Sequence, residues 1–319
     1  MDQHIANDTL LNSTQNISIE TEYSILKVLV YFGIFRYPLT TREIHAFTGI
    51  KSDEKKIANS LNKLSSEKKL YKLGNFYSLS NDHSLIERRL NGNALASELI
   101  VHGKKISQLI FRFPYVRAVG ICGSISKNFA DEMADIDYVV ITKANRLWIA
   151  RTLLMLYRKI PLIKNRNKHY CMNYFLDEAD LVIAEKNIYT ATELFTVIPT
   201  ADSGVMHQFF EKNTWSSPYF PNKNYPASEK ITPSRGLLKK TAELLFNNRI
   251  GDWLDNYLLN LTTRRWKKKQ DEGRLNTKGE RMGFDTGKHF CKPTTIFFHD
   301  RFLKSYNKSL KEYCDAWKI

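Results

Sequence analysis

An apolar run ending at Cys122 breaks at Gly123-Ser124, passes through a short polar stretch and reaches Asp135-Ile136-Asp137, which opens a second apolar run to Thr142. In a strand, residues two apart share a face. Asp135 and Asp137 are therefore expected to project side by side while Ile136 turns into the core. Two carboxylates at a strand end suit a hard cation such as Mg²⁺, which is bound by a few carboxylates together with substrate phosphates. Gly123 permits close backbone approach. Ser124 falls where a helix would begin, so its hydroxyl and the free N–H groups there can hold a phosphate. The two features together imply chemistry on a nucleoside triphosphate.

The 319 residues suggest two or three domains. Net charge is +15, with most of the excess beyond the first hundred residues. A basic balance favours anionic partners, although solubility alone also accounts for it. The four cysteines are scattered and form no Cys-x-x-Cys pair, which reads as reduced thiols in a cytoplasmic protein. Met1–Ile17 is rich in Asn, Thr and Ser without a signal-peptide pattern, and an unstructured tail is expected over 1–18. No apolar run is long and uncharged enough to span a bilayer, and no membrane partner is expected.

Helical spacing from Glu20 to Phe35 ends at Tyr37-Pro38. Thr40 and Glu43 form a capping-box pattern before a second helix. Ser52 is expected to cap a third helix carrying Ile57, Leu61 and Leu64 inward. A hairpin about Gly74-Asn75 follows. Three helices and a hairpin over 19–81 resemble a winged helix. Its third helix would present Lys55, Lys56, Asn59, Asn62 and Lys63 outward, a face suited to nucleic acid or simply to solvent. A helical connector is expected over 82–114. An α/β core over 115–215 has strands at Tyr115–Cys122, Tyr138–Thr142 and His169–Leu176, with helices at Arg146–Lys159, Thr190–Val197 and Val205–Lys212. A Pro-rich linker at 216–235 and a helical C-terminal domain at 236–319 complete the chain.

Gly-Ser, ten intervening residues and then Asp-x-Asp, with strands on both sides, resembles the signature of the polymerase-beta-like nucleotidyltransferase superfamily, which includes antibiotic and minimal nucleotidyltransferases. The resemblance covers roughly residues 100–200. It implies an α/β (α+β) core, a small mixed nucleotidyltransferase sheet flanked by helices, to which the residue pattern adds the N-terminal winged helix and the C-terminal helical domain. It also implies Mg²⁺ at Asp135 and Asp137, and phosphates at Gly123 and Ser124 with Lys127 close by. The superfamily usually takes a third carboxylate from the next strand, where this chain has Asn173 in the likeliest position. An amide can ligate or bind nucleotide but supplies no charge and no base. Asp177 shares its face but lies some 13 Å further at ~3.3 Å per residue. Glu193, on the following helix, is a candidate base by analogy with a helix-borne glutamate of some antibiotic nucleotidyltransferases.

The expected activity is Mg²⁺-dependent transfer of a nucleoside monophosphate, AMP from ATP in the first instance, to a hydroxyl acceptor such as a small molecule. The alternative is a winged-helix regulator that binds nucleotide without turnover. Nucleic acid is a further candidate partner, through the winged helix or the basic C-terminal half. There, Arg264 to Lys269 surrounds Trp266, which is placed to stack on a base; the charged end of a helix gives the same pattern. No metal-hydrolase histidine spacing and no Gly-x-Ser-x-Gly elbow is present.

Overall fold

The computed structural model describes residues 2–160, 170–227, 237–275, 279, 281–295 and 298–319, and side chains within these except 2–17, 237–238, 282 and 293–295. The chain is mixed α/β and divides into two units. None of the described helices is long and apolar enough to cross a membrane.

The first unit holds residues up to Asn91, Trp215–Asn224 and His299–Ile319. Helix α1 (Asp2–Ile34) runs back through the stretch expected to be an unstructured tail. No Pro or Gly stands before Gly33, and Asn, Thr and Ser cost a helix only about half a kcal/mol each. Helix α2 (Thr41–Phe47) opens on the expected capping box: Glu43 N donates to Thr40 Oγ1 at 3.3 Å, and Thr40 N to Glu43 Oε2 at 2.8 Å. Helix α3 (Glu54–Ser66) buries Ile57, Leu61 and Leu64, but its cap is Asp53, which accepts from Lys56 N; Ser52 is not the cap. Lys55, Asn59 and Asn62 face outward, while Lys63 donates to Glu22 at 2.6 Å. Strands β1 (Tyr71–Leu73) and β2 (Phe76–Ser78) form the expected hairpin, with Gly74 at φ +62°.

The Pro-rich stretch is less of a linker than the sequence suggests. Phe220 packs on Phe47, and the Asn222 amide donates to His45 O and Ile50 O, so Trp215–Asn224 is built into this unit. Residues 228–236 of that linker, and His169 of the expected third core strand, lie outside the described residues.

The second unit is Gly92–Thr214 with Tyr225–Phe298. Helix α4 (Ser84–Phe111) spans the expected connector and leads into it. In chain order the sheet strands are β3 (Val116–Cys122), β4 (Ile136–Thr142), β5 (Tyr170–Asp177), β6 (Ile198–Asp202), β7 (Met282–Thr286) and β8 (Phe290–Thr295). They lie in the order β6-β3-β4-β5-β8-β7, with β4 and β5 parallel and every other pair antiparallel. Helices α5 (Gly123–Ser126), α6 (Leu147–Arg158), α7 (Ile188–Thr196), α8 (Met206–Lys212), α9 (Leu237–Leu245) and α10 (Arg249–Asp271) belong to this unit. Alternate residues Ile136, Tyr138 and Val140 of β4 join Val119, Ile121, Phe175 and Trp148 in its core.

A separate helical domain over 236–319 is not what forms. Glu243 of α9 accepts from Tyr115 N at 2.7 Å and pairs both oxygens with Arg117. Hairpin β7–β8 extends the sheet beside β5, and only α11 (Phe298–Trp317) falls in the first unit, where Phe302 and Tyr306 pack on Tyr31. Cys291 of β8 is buried in the core and Phe284 of β7 packs against it, so burial as well as the edge of β5 holds the hairpin.

Candidate functional site

At the end of β3 the chain turns through Gly123 at φ +76°, a conformation that disfavours a side chain. A Cβ added there would lie 2.6 Å from Asp137 Oδ2. Glycine is thus what lets the turn close against the carboxylate. Cys122 pairs in register with Asp137, and Asp137 with Cys171 of β5. The β4–β5 register then slips: Tyr138 pairs with Met172 but Val139 with Tyr174, leaving Asn173 as an extra residue. Such bulges re-aim side chains. Here the Asn173 Nδ2 donates to Asp137 Oδ1 at 2.5 Å.

Asp135 is exposed, Ile136 fully buried and Asp137 half-buried, the alternation the sequence predicts. The Cys171 thiol lies 3.7 Å from Asp135 Oδ2. Both carboxylates therefore meet the Cys171 and Asn173 side of β5. Ser124 stands exposed at the second position of α5, and its hydroxyl makes no hydrogen bond among the described residues.

Glu193 and Lys127 are brought together, which spacing does not foretell. Asn187 caps α7 by accepting from Thr190 N, and burial of Ala191, Leu194 and Phe195 fixes the helix rotation. Glu193 then pairs with Lys127 Nζ at 2.6 Å and accepts from Gly123 N at 3.2 Å. Lys127 also donates to Gly123 O at 2.9 Å. One glutamate thus engages both the loop N–H and the lysine expected to meet phosphates.

Burial, then the charges of Asp137 and Glu193, push the Cys122 thiol far above its ordinary value. Burial and Asp135 raise Cys171 to about 11, with Arg158 opposing. Both thiols stay protonated at neutral pH, and Cys171 serves as a weak donor to Asp135. Cys171 and Arg158 are site neighbours that the sequence did not single out. The signal for Cys171 was its position two residues before Asn173; Arg158, in the last turn of α6, had none.

Among the described residues no three His, Cys, Asp or Glu side chains group as metal ligands. The donor set is two carboxylates, a fit for Mg²⁺ when phosphate oxygens and water complete the shell. Asn173 donates its amide N–H to Asp137. Asp177 sits fully buried at the far end of β5, where it accepts from Asn145 N and Ala179 N at 2.9 Å and faces His289 Nδ1 at 3.0 Å. Trp266 is not placed to stack on a base: it is buried, with Phe284 stacked at 4.2 Å and the Arg151 guanidinium 4.4 Å over its ring.

No protein-family model, curated protein or solved structure matches this chain.

Proposed function

We propose that this protein is a nucleotidyltransferase of the polymerase-beta-like type that transfers a nucleoside monophosphate, AMP in the first instance, to a hydroxyl acceptor. The observation that carries the reading is the close approach of the Gly123 turn to Asp137, which would bring phosphates bound at that turn against the carboxylate pair. In the reaction the acceptor oxygen forms a bond to the α-phosphorus, the bond to the bridging oxygen of pyrophosphate breaks, and the hydroxyl proton passes to a base. Mg²⁺ held by Asp135 and Asp137 would neutralise phosphate charge and polarise the phosphorus.

The chain's own residues have separable tasks. Ser124 and the N–H groups of α5 bind and orient the outer phosphates. Lys127 supplies a positive charge beside them once its bond to Glu193 yields. Glu193, released from Gly123 and Lys127, is the carboxylate available to take the proton. Asn173 fixes the rotamer of Asp137 by its hydrogen bond.

That same bond favours a second reading. An amide where a third carboxylate would stand lowers the charge available for a second metal, which suits a domain that binds nucleotide without turning it over. The two readings part in one assay: the protein is incubated with α-labelled triphosphates, Mg²⁺ and a cell extract beside an Asp135→Ala, Asp137→Ala double variant. Label transfer by the wild type alone supports catalysis; no transfer by either, with nucleotide still bound, supports sensing.

A further inference from the structure

The second unit carries an apolar surface that its fold does not use. Leu244 is 80 %, Leu245 67 %, Ile250 63 % and Trp253 65 % exposed, all at the corner where α9 turns into α10. Tyr257, one turn on, stacks on Trp253 at 5.6 Å. Scattered exposed leucines need no explanation, but large apolar side chains gathered at one helix corner do.

The corner is firmly built. The buried Arg146 donates to Phe246 O at 2.9 Å and Asn248 O at 3.2 Å, and pairs with Asp252 at 2.6 Å. Asn248 caps α10 by accepting from Ile250 N and Gly251 N. These side chains are therefore held outward by the backbone, not exposed by a loose end.

Positions 250, 253, 257, 260, 264 and 267 step along α10 by three and four residues and so share one face. Its first half is Ile250, Trp253 and Tyr257. Its second half carries Arg264 and Lys267, with Lys268 alongside, all exposed; Asp271 and Glu272 end the helix, Glu272 lying 3.9 Å from Lys268, so cations still outnumber acids over 264–272. Apolar tips, aromatic rings and then cations along one exposed helix are what a headgroup and acyl boundary accommodates.

We infer that this corner and the outer face of α10 dock on an anionic lipid surface, with the apolar tips inserted and Arg264, Lys267 and Lys268 at the headgroups. Single-stranded nucleic acid would use the rings and cations but leave Leu244, Leu245 and Ile250 without a role. A second copy of the chain would bury the apolar tips without calling on Arg264, Lys267 and Lys268. The lipid surface accounts for all of them. It is peripheral contact, compatible with the lack of a spanning helix among the described residues.

The test is flotation of the full chain with vesicles of phosphatidylcholine alone or mixed with phosphatidylglycerol. Binding to the anionic vesicles is expected, weakened by salt. Ile250→Ser with Trp253→Ser should reduce partitioning on the order of tenfold. Arg264→Gln, Lys267→Gln and Lys268→Gln together should do likewise and flatten the salt dependence. Both variants alter exposed positions, and an unchanged thermal melt shows that they fold. Absence of binding to anionic vesicles, or equal binding by the variants, overturns the proposal. So does a concentration-dependent dimer lost in the serine variant, or single-stranded oligonucleotide binding without vesicle binding.

Discussion

The amide nitrogen of Asn173 donates to Asp137 across two neighbouring parallel strands, from a bulge that leaves Asn173 with no register partner on β4. A carboxylate at position 173 would instead face Asp137 as a like charge. Asn173→Asp is expected to cost about 2 kcal/mol of stability without metal, from the lost hydrogen bond and the new repulsion. Added Mg²⁺ should restore most of that loss. Thermal melts of both forms with and without Mg²⁺ check it, and a variant as stable as wild type in chelator would show the contact to be unimportant.

Glu193 holds the Gly123 N–H and the Lys127 ammonium, and in the proposed site it would compete with phosphates for both. Glu193→Gln removes the charge and keeps the shape, so a non-hydrolysable triphosphate should bind about tenfold tighter, equivalent to ~1.4 kcal/mol. Turnover should fall in the same variant if Glu193 also takes the acceptor proton. Calorimetry beside the transfer assay separates the two effects. Weaker nucleotide binding would mean that Glu193 supports the loop rather than competing for it.

Gly123→Ala places a methyl group against Asp137 and asks an L-residue to hold φ +76°. A stability loss of about 1–2 kcal/mol is expected. Nucleotide binding should fall further than that loss explains, because Asp137 must move. Comparing denaturant midpoints with nucleotide affinity for Gly123→Ala and Ser124→Ala tests this, since Ser124→Ala should lower affinity alone.

Asp255 of α10 accepts from Ile149 N at 2.9 Å, and burial, opposed by that bond, raises its carboxyl from 3.8 to about 6. A raised folded value means that its contribution is fully present below pH ~3.8 and is lost as pH climbs through about 6. Asp255→Asn, which keeps the acceptor oxygen, should be more stable than wild type at pH 7 by about 1–3 kcal/mol. The advantage should shrink towards pH 4. Urea midpoints across that range measure it; an Asn variant destabilised at pH 7 would contradict the sign.

Local signals carried the most. The Thr40–Glu43 box, the Gly74 turn and the Ile136 alternation each depend on neighbours in sequence, and each forms as expected. The choice of Asp53 over Ser52 as a cap was a contest between adjacent residues that sequence could not decide. Pairings over long separations were illegible. The β7–β8 hairpin finds β5 from more than a hundred residues away, and Asn222 reaches His45 and Ile50 from further still. In the site, Asp135, Asp137 and Asn173 could be placed because strand alternation fixes their faces. The Glu193–Lys127 pair could not, because it depends on how α7 docks.

In the proposed site Asp135 and Asp137 hold a metal-bound triphosphate at the Gly123 turn. Calorimetric titration of ATP with and without Mg²⁺, on wild type, Asp135→Asn and Asp137→Asn, tests it most directly. Binding should require Mg²⁺ in the wild type and fall at least about tenfold in either variant. Equal affinity with and without Mg²⁺, or variants that bind as the wild type does, would contradict it.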